Sequence, residues 1–182
     1  MENMLSLMRS RQSVRSYSSR PVPRELVIQC LEASRLAPSA CNSQPWYFVI
    51  ADEQELLEEL RSSAVHRGMN RFAKQAPVIA ALFSRGSSLP AKFGSMVKGT
   101  AYDLIDIGIA AEHFCLAAAD AGLGTCMIGW FDKKRAAEAA GVPRTLKPLL
   151  LITLGYPAED TVREKRRKDL DEISGWNGFG KG

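Results

Sequence analysis

Two arginines and a serine alternate near the N-terminus, in the segment Arg11-Gln12-Ser13-Val14-Arg15. In an extended chain, side chains at alternate positions point to the same side, so two guanidinium groups and a hydroxyl would face one ligand. The planar fork of arginine pairs with two phosphate oxygens at once. This segment, named the arginine box, is therefore a candidate anion site. A solvated basic loop is the alternative, and the box alone does not decide between them.

A second polar segment, residues 38–45, lies directly ahead of an apolar stretch. Ser39, Asn42, Ser43 and Gln44 provide donors and acceptors there. Such a loop could line a polar ligand, although an ordinary helix-to-strand connection is the commoner case.

The net charge of +4 is unevenly distributed along the chain. Residues 163–168 carry five positive charges and one negative, a surplus equal to that of the whole chain. The first 24 residues add five arginines against the single acid Glu2. Basic clusters of this kind attract phosphate esters, nucleic acids or membrane surfaces.

Several classes of function are disfavoured by what the sequence lacks. It has no phosphate-binding P-loop and no Gly-x-Gly-x-x-Gly after a strand, and Gly122-Leu123-Gly124 is expected to form the turn after a helix. The four cysteines form no Cys-x-x-Cys pair and we expect free thiols. Of the two histidines, His113 is expected to be a packed residue, so no metal site is predicted. Without a long apolar run or a secretory signal, we expect a cytoplasmic protein and no membrane span.

Apolar periodicity predicts a single α+β domain over residues 1–182, with about four strands and helices on both faces of the sheet. Strands are expected near 46–50, 77–83, 124–129 and 149–154. Helices are expected near 4–10, 23–37, 53–66, 101–121 and 133–140. Asp52 with Glu55 resembles a capping box for the third of these helices, and Asp132 is expected to cap the last. A Gly- and Pro-containing excursion is expected between Ser84 and Gly99.

Four segments, taken together and in order, resemble the nitroreductase family. They are the arginine box, residues 38–46, residues 121–129, and Gly155-Tyr156-Pro157 followed by a Lys-x-Arg pair at Lys165 and Arg167. The resemblance covers nearly the whole chain. It implies a three-layer α/β/α fold with a central, mostly antiparallel sheet of 4–5 strands. It also implies an intertwined homodimer with the helix over 101–121 in the dimer core.

The same resemblance implies FMN bound at the dimer interface, with NADH or NADPH as reductant. Arg11, Ser13, Lys165 and Arg167 would surround the phosphate, and Gln12 and Arg15 would reach the pyrimidine edge of the flavin ring. Pro38, Ser39, Ala40 and Asn42 would approach from the other subunit. Met127, Ile128, Gly129 and Trp130 would pass beside the isoalloxazine and offer backbone N–H groups near N5. Asn70 or Lys74 would add a polar contact.

The implied activity is ping-pong hydride transfer through flavin N5, from NAD(P)H to a nitroaromatic, quinone-like or other flat acceptor. No catalytic acid or base is needed, and Arg15 is the candidate for stabilising the reduced flavin near N1. Two alternatives stay open. One is flavin-consuming or dehalogenating chemistry on the same scaffold. The other is a nucleic-acid-binding surface with Tyr17, Trp176 and Phe179 as stacking partners. The sequence leaves the acceptor and the choice between NADH and NADPH undetermined.

Overall fold

A computed structural model of the chain describes residues 2–86, 88 and 99–180. The helices are α1 (Glu2–Ser10), α2 (Arg24–Arg35), α3 (Gln54–Ala64), α4 (Tyr102–Asp120), α5 (Lys133–Ala139) and α6 (Leu170–Ile173). The strands are β1 (Trp46–Ala51), β2 (Val78–Ser84), β3 (Gly124–Ile128) and β4 (Lys147–Gly155). Short 3-10 turns lie at Ala40–Asn42, His66–Gly68 and Arg71–Gln75.

The four strands form one sheet in the order β1-β2-β4-β3, and every neighbouring pair is antiparallel. The two central strands, β2 and β4, are among the four that the sequence predicts. All seven residues of β2 are buried, because helices cover both faces of the sheet. Ile79, Ala81 and Phe83 pack on one face, while Val78, Ala80 and Leu82 pack on the other. This alternation is the period of two expected of a strand.

Two layers of helices enclose the sheet. Val27 of α2 and Ile107 and Phe114 of α4 belong to the core on one face. Leu57 and Leu60 of α3 and Ala136 of α5 belong to the core on the other. The predicted α+β, three-layer α/β/α fold with a mostly antiparallel sheet is therefore confirmed, with four strands in the described part of the chain.

The ends of the helices test the predictions of local structure. Pro23 precedes the first residue of α2, and the Asp132 carboxylate caps α5 by accepting a hydrogen bond from the Arg135 backbone N–H. The capping box predicted at Asp52 and Glu55 is wrong. α3 begins at Gln54 after Glu53, without a side-chain cap, and the Asp52 carboxylate instead accepts 2.6 and 3.1 Å bonds from Arg24.

The cysteines and His113 lie as the sequence predicts. All four cysteines are free, with Cys30, Cys115 and Cys126 buried and Cys41 exposed. The His113 ring is partly buried on α4 and its Nδ1 lies 3.2 Å from the Ala33 carbonyl oxygen. Within the described residues no group of His, Cys, Asp and Glu side chains is arranged to hold a metal ion.

Two further predictions concern the surface. The excursion expected between Ser84 and Gly99 lies largely outside the described residues. Among the helices described here, none is both long and apolar enough to cross a bilayer. On α4, Leu104 and Ile105 are each 52% exposed.

Candidate functional site

The arginine box lies along the free edge of β3. Ser13 forms a parallel bridge with Thr125, and the Val14 N–H donates to the Thr125 carbonyl at 2.9 Å. Val14 is buried, whereas Arg15 is exposed. Gly124 permits this close approach, because a Cβ there would lie 2.5 Å from a Val14 methyl group. The box is therefore held in place by backbone pairing. The alternative of a solvated basic loop required it to be free in solvent.

Tyr17 anchors the end of the box inside the protein. Its hydroxyl lies 2.9 Å from the Val14 carbonyl, to which it donates, and 2.7 Å from Thr153 Oγ1 of β4. Burial raises the pKa of this phenol well above its ordinary value. With 7% of its surface exposed, Tyr17 cannot stack on a nucleic-acid base, so its predicted role in the nucleic-acid alternative is wrong. Trp176 and Phe179 are exposed.

Arg11 and Lys165 lie together at the start of the box. Arg11 Nε lies 3.2 Å from Glu112 Oε1 of α4. Lys165 Nζ donates to the Met8 carbonyl at 2.5 Å and to the Arg11 carbonyl. The pKa of Lys165 is lowered by burial and by the positive charges of Arg11 and Arg167. Lys165 thus lies in a positive environment, which favours a bound anion beside it.

Arg163 also belongs to the site, although the Lys-x-Arg pair does not include it. Its Nε lies 3.1 Å from Gln12 Oε1, and it also donates to the Ser13 carbonyl at 2.5 Å. Gln12 Nε2 donates to the Thr161 carbonyl at 2.7 Å. The sequence does contain a signal for Arg163. It alternates with Lys165 and Arg167, and residues two apart in an extended segment point to the same side.

A cavity of about 320 Å³ opens beside the box. Its walls are residues 12–16, Pro157, Glu159, Thr161 and Arg163. Ser13 and Arg15 thus line one cavity, with Glu159 as the acidic residue of the lining.

Arg15 and the end of β3 form the far side of the site. The Arg15 guanidinium carbon lies 5.9 Å from the centre of the Phe72 ring, and in the described part of the chain it pairs with no carboxylate. Burial raises the pKa of the Cys126 thiol. Met127 is half-buried, Ile128 is in the core, and Gly129 and Trp130 are exposed. Ile128 can therefore offer a ligand its backbone but not its side chain.

Asn70 supports the segment that follows β3. Its Nδ2 donates to the Trp130 carbonyl at 2.9 Å and to the Ala64 carbonyl at 3.3 Å. Its φ of +53° is in the left-handed region, where asparagine is tolerated better than most residues. Lys74 is exposed.

Residues 38–42 form a second segment beside α4. No hydrogen bond among the described residues joins them to the arginine box of the same chain. The loop has an unusual backbone, since Cys41, Asn42 and Gln44 all have φ between +43° and +51°. The Ala40 N–H donates to the Asp106 carboxylate of α4. Asp106 is a residue that the sequence analysis did not identify.

Comparison with known proteins connects these features to a family. The sequence profile of the Nitroreductase family matches residues 8–68 and 63–156. A protein from Methanothermobacter thermautotrophicus, proposed to be an NADH dehydrogenase/NAD(P)H nitroreductase, is 32% identical over 162 residues, which span 87% of this chain and 79% of that protein. Iodotyrosine deiodinase from Drosophila melanogaster is 27% identical over 94% of this chain and 69% of its own length.

A solved structure agrees with the sequence match. The FMN-dependent nitroreductase from Clostridium difficile superposes with a TM-score of 0.76 at 27% identity, over 97% of this chain and 100% of that one. The profile covers most of the chain, from residue 8 to residue 156. The chain belongs to the Nitroreductase family.

Proposed function

We propose that the protein is an FMN-dependent NAD(P)H oxidoreductase of the nitroreductase type. The observation that carries the proposal is the contact of Lys165 with the Arg11 backbone at the start of the box, where the pKa of Lys165 is lowered by burial and by the positive charges of Arg11 and Arg167. A phosphate group would relieve this repulsion. The FMN-dependent nitroreductase with the same fold and the relative proposed to use NAD(P)H support the choice of flavin and reductant.

The residues present fit an FMN phosphate. Arg11 uses its Nε toward Glu112, so the outer nitrogens of the guanidinium are available for phosphate oxygens, which they can bind in bidentate fashion. The Ser13 hydroxyl and the side chains of Lys165 and Arg167 would complete this end. Arg163, which already contacts Gln12 and Ser13, would close the site from the side of the C-terminal segment.

The remaining residues fit the flavin ring. Arg15 would place positive charge at the pyrimidine edge of the ring. Gln12 would reach the same edge after its side-chain amide releases the Thr161 carbonyl. Met127, Ile128, Gly129 and Trp130 would run along the ring and offer backbone N–H groups, and Asn70 would hold this segment through the Trp130 carbonyl. Lys74 is exposed on the 3-10 turn Arg71–Gln75, which follows Asn70.

When bound, FMN supplies hydride acceptance from NAD(P)H and the transfer of electrons to a small flat acceptor. The chain itself binds, orients and stabilises. Arg15 is exposed and has no carboxylate partner in the described part of the chain, so its charge is not neutralised locally and can stabilise negative charge on the reduced ring.

The working unit we propose is a homodimer. Leu104 and Ile105 leave an apolar stretch of α4 exposed. A groove of about 500 Å³ lies between α1 and α4. It is lined by the apolar residues Met4, Leu7, Ala33, Leu116 and Ala117 and by the polar residues Asn3, His113 and Asp120. Contiguous exposed apolar patches rimmed by polar residues are typical of protein interfaces. By the family resemblance, Pro38, Ser39, Ala40 and Asn42 would serve the FMN of the second subunit, and none of the described hydrogen bonds joins them to the box of their own chain.

A second candidate is reductive dehalogenation with the same cofactor, and the relationship to an iodotyrosine deiodinase favours it. The two activities share the FMN site and differ in the acceptor. Steady-state assays with a quinone, a nitroaromatic and a halogenated phenol would rank them.

The visible spectrum of the purified protein tests the proposal. We expect a yellow protein that releases FMN on denaturation and whose flavin band bleaches with NADH or NADPH under anaerobic conditions. Colourless protein that leaves the fluorescence of added FMN unchanged would refute FMN binding. A yellow protein that neither nicotinamide bleaches would refute the reductase activity alone.

A further inference from the structure

Asp106 is a buried carboxylate that holds a loop. Its residue is 5% exposed, and its two oxygens lie 3.2 and 3.1 Å from the Ala40 N–H, which donates to them. In the described part of the chain no lysine or arginine pairs with it. Because a carboxylate deprived of water must find hydrogen-bond donors, this contact ties α4 to the loop.

The loop itself has few other connections to the body of the protein. The Gln44 N–H donates to Ser39 Oγ at 3.0 Å, and the Gln44 side chain donates to Asn42. Backbone bonds from Asn42 to Ser39 and from Ser43 to Ala40 are also internal. Among the described hydrogen bonds of residues 39–44, the contact with Asp106 is the one that reaches another element.

The conformation fixed by this contact is not one the loop would adopt by default. Cys41, Asn42 and Gln44 lie in the left-handed region, which is unfavourable for residues with a Cβ unless the surroundings impose it. Such backbone outliers concentrate at ligand sites. The same helix also carries Glu112, which pairs with Arg11. Six residues separate Asp106 from Glu112, about 9 Å along the axis, so α4 holds both segments predicted to bind the cofactor.

We propose that Asp106 is a positioning residue for the cofactor site, which fixes Ser39, Ala40 and Asn42 in the conformation that receives the FMN of the second subunit. The inference rests on the proposed function, because the loop has a ligand to receive only if FMN binds across the dimer. Asp106 acts through the Ala40 N–H and does not touch the cofactor itself. The required property is a hydrogen-bond acceptor at this point, not its charge.

A double-mutant cycle tests the contact from both ends. Asp106→Ala removes the acceptor, and Ala40→Pro removes the donor without altering α4. Proline suits this position, because Ala40 is the first residue of its 3-10 turn and Ser39 is extended with φ of −149° and ψ of 151°. We expect each variant to raise the Kd for FMN about tenfold, the scale of one lost hydrogen bond to a charged group.

The double variant should be little worse than either single variant, because both remove the same interaction. Losses that multiply to about a hundredfold, or an Asp106→Ala protein that binds FMN like the wild type, would overturn the proposal. Asp106→Asn keeps an acceptor oxygen, so its Kd for FMN should lie within about threefold of the wild-type value. A threefold change in Kd corresponds to less than half the free energy of a tenfold change. Weak binding by Asp106→Asn would contradict a role that depends on the acceptor alone.

Further measurements separate this role from general stability and from the proposed function. Asp103→Asn is the matched control, since Asp103 lies on the same helix and accepts from Ser84 Oγ at 3.2 Å; its FMN affinity should equal that of the wild type. Thermal unfolding of each apoprotein shows whether binding falls without loss of the fold.

If Asp106→Ala does not fold, Ala40→Pro decides, and wild-type affinity in that variant refutes the proposal. Absence of FMN binding by the wild type would refute the proposed function instead.

Discussion

Arg11 Nε lies 3.2 Å from Oε1 of Glu112, across the gap between the arginine box and α4. Arg11 is the less exposed partner, with 21% of its side chain accessible against 43% for Glu112. The contact uses the inner nitrogen of the guanidinium, so it orients the group while its outer nitrogens stay available. This geometry makes Arg11 the first residue to test in the proposed phosphate site.

Arg11→Ala should weaken FMN binding by about 1.5–3 kcal/mol, the scale of a charge-assisted hydrogen bond. Quenching of flavin fluorescence during titration of the apoprotein measures the change. Arg135→Ala is the control, because Arg135 pairs with Glu59 away from the box and should leave FMN affinity unchanged. Equal affinity of Arg11→Ala and wild type would place the phosphate elsewhere.

Glu112→Gln should tighten FMN binding by up to about fivefold at low salt, corresponding to the 0.2–1 kcal/mol of an exposed ion pair. The amide oxygen can still accept from Arg11, while the local negative charge that opposes a phosphate is gone. Titrations at low and high salt measure this, and screening should reduce the gain. Glu138→Gln removes a charge of the same sign from a pair on α5 and should change nothing. Weaker binding by Glu112→Gln would show that its charge supports the site.

The sequence predicted the parts of this protein that depend on local pattern. The apolar pattern predicted β2 and β4, and the alternation in the box predicted that its side chains share one side if the segment is extended. The capping box at Asp52 was wrong because Arg24, 28 residues earlier, engages that carboxylate. Asp106 was missed for the same reason, since its partner Ala40 is 66 residues away. Pairings that depend on the packing of α2, α3 and α4 leave no local signal.

FMN affinity should depend on pH through Lys165. Burial and the charges of Arg11 and Arg167 lower the pKa of this lysine in the free protein, so it loses its proton at lower pH than an ordinary lysine. The neutral amine attracts phosphate less, and affinity should therefore fall as pH rises through that lowered pKa. For the protein without ligand the sign is opposite, because the folded state disfavours the charged amine and becomes more stable as pH rises.

Titrations between about pH 7 and pH 10 would follow the loss, since an ordinary lysine keeps its proton over nearly all of that range. Lys165→Arg retains its charge throughout and is the reference. We expect its affinity to be flat where that of the wild type declines. Parallel curves for the two proteins would exclude Lys165 as the titrating group.

Tyr17→Phe should destabilise the fold by about 1–3 kcal/mol, because the Val14 carbonyl and the Thr153 hydroxyl lose a buried partner. Urea denaturation of the apoprotein measures the effect. FMN affinity should fall as well, since the hydroxyl holds the box against β4. Tyr47→Phe, at an exposed tyrosine of β1, is the control and should be neutral. Loss of stability with unchanged affinity would show that the edge of β3 alone fixes the box.

Disrupting the proposed dimer should remove the cofactor. Ile105→Glu places a charge on the exposed apolar stretch of α4, where Ile105 is 52% exposed in a single chain. If this stretch is covered by a second subunit, burying the new carboxylate costs several kcal/mol without a partner and the protein should become monomeric. Light scattering after size-exclusion chromatography gives the mass, and the visible absorbance gives the FMN content of the same peak.

Ile28→Glu is the matched control, because Ile28 is 61% exposed on α2 and lines a different groove, beside β1. It should stay dimeric and yellow. If Ile105→Glu is a monomer and contains no FMN, the result supports a site formed by the box of one chain and residues 38–42 of the other. A monomer of Ile105→Glu that keeps its FMN would show that one chain holds the cofactor by itself, and the role of residues 38–42 would then lie within their own subunit.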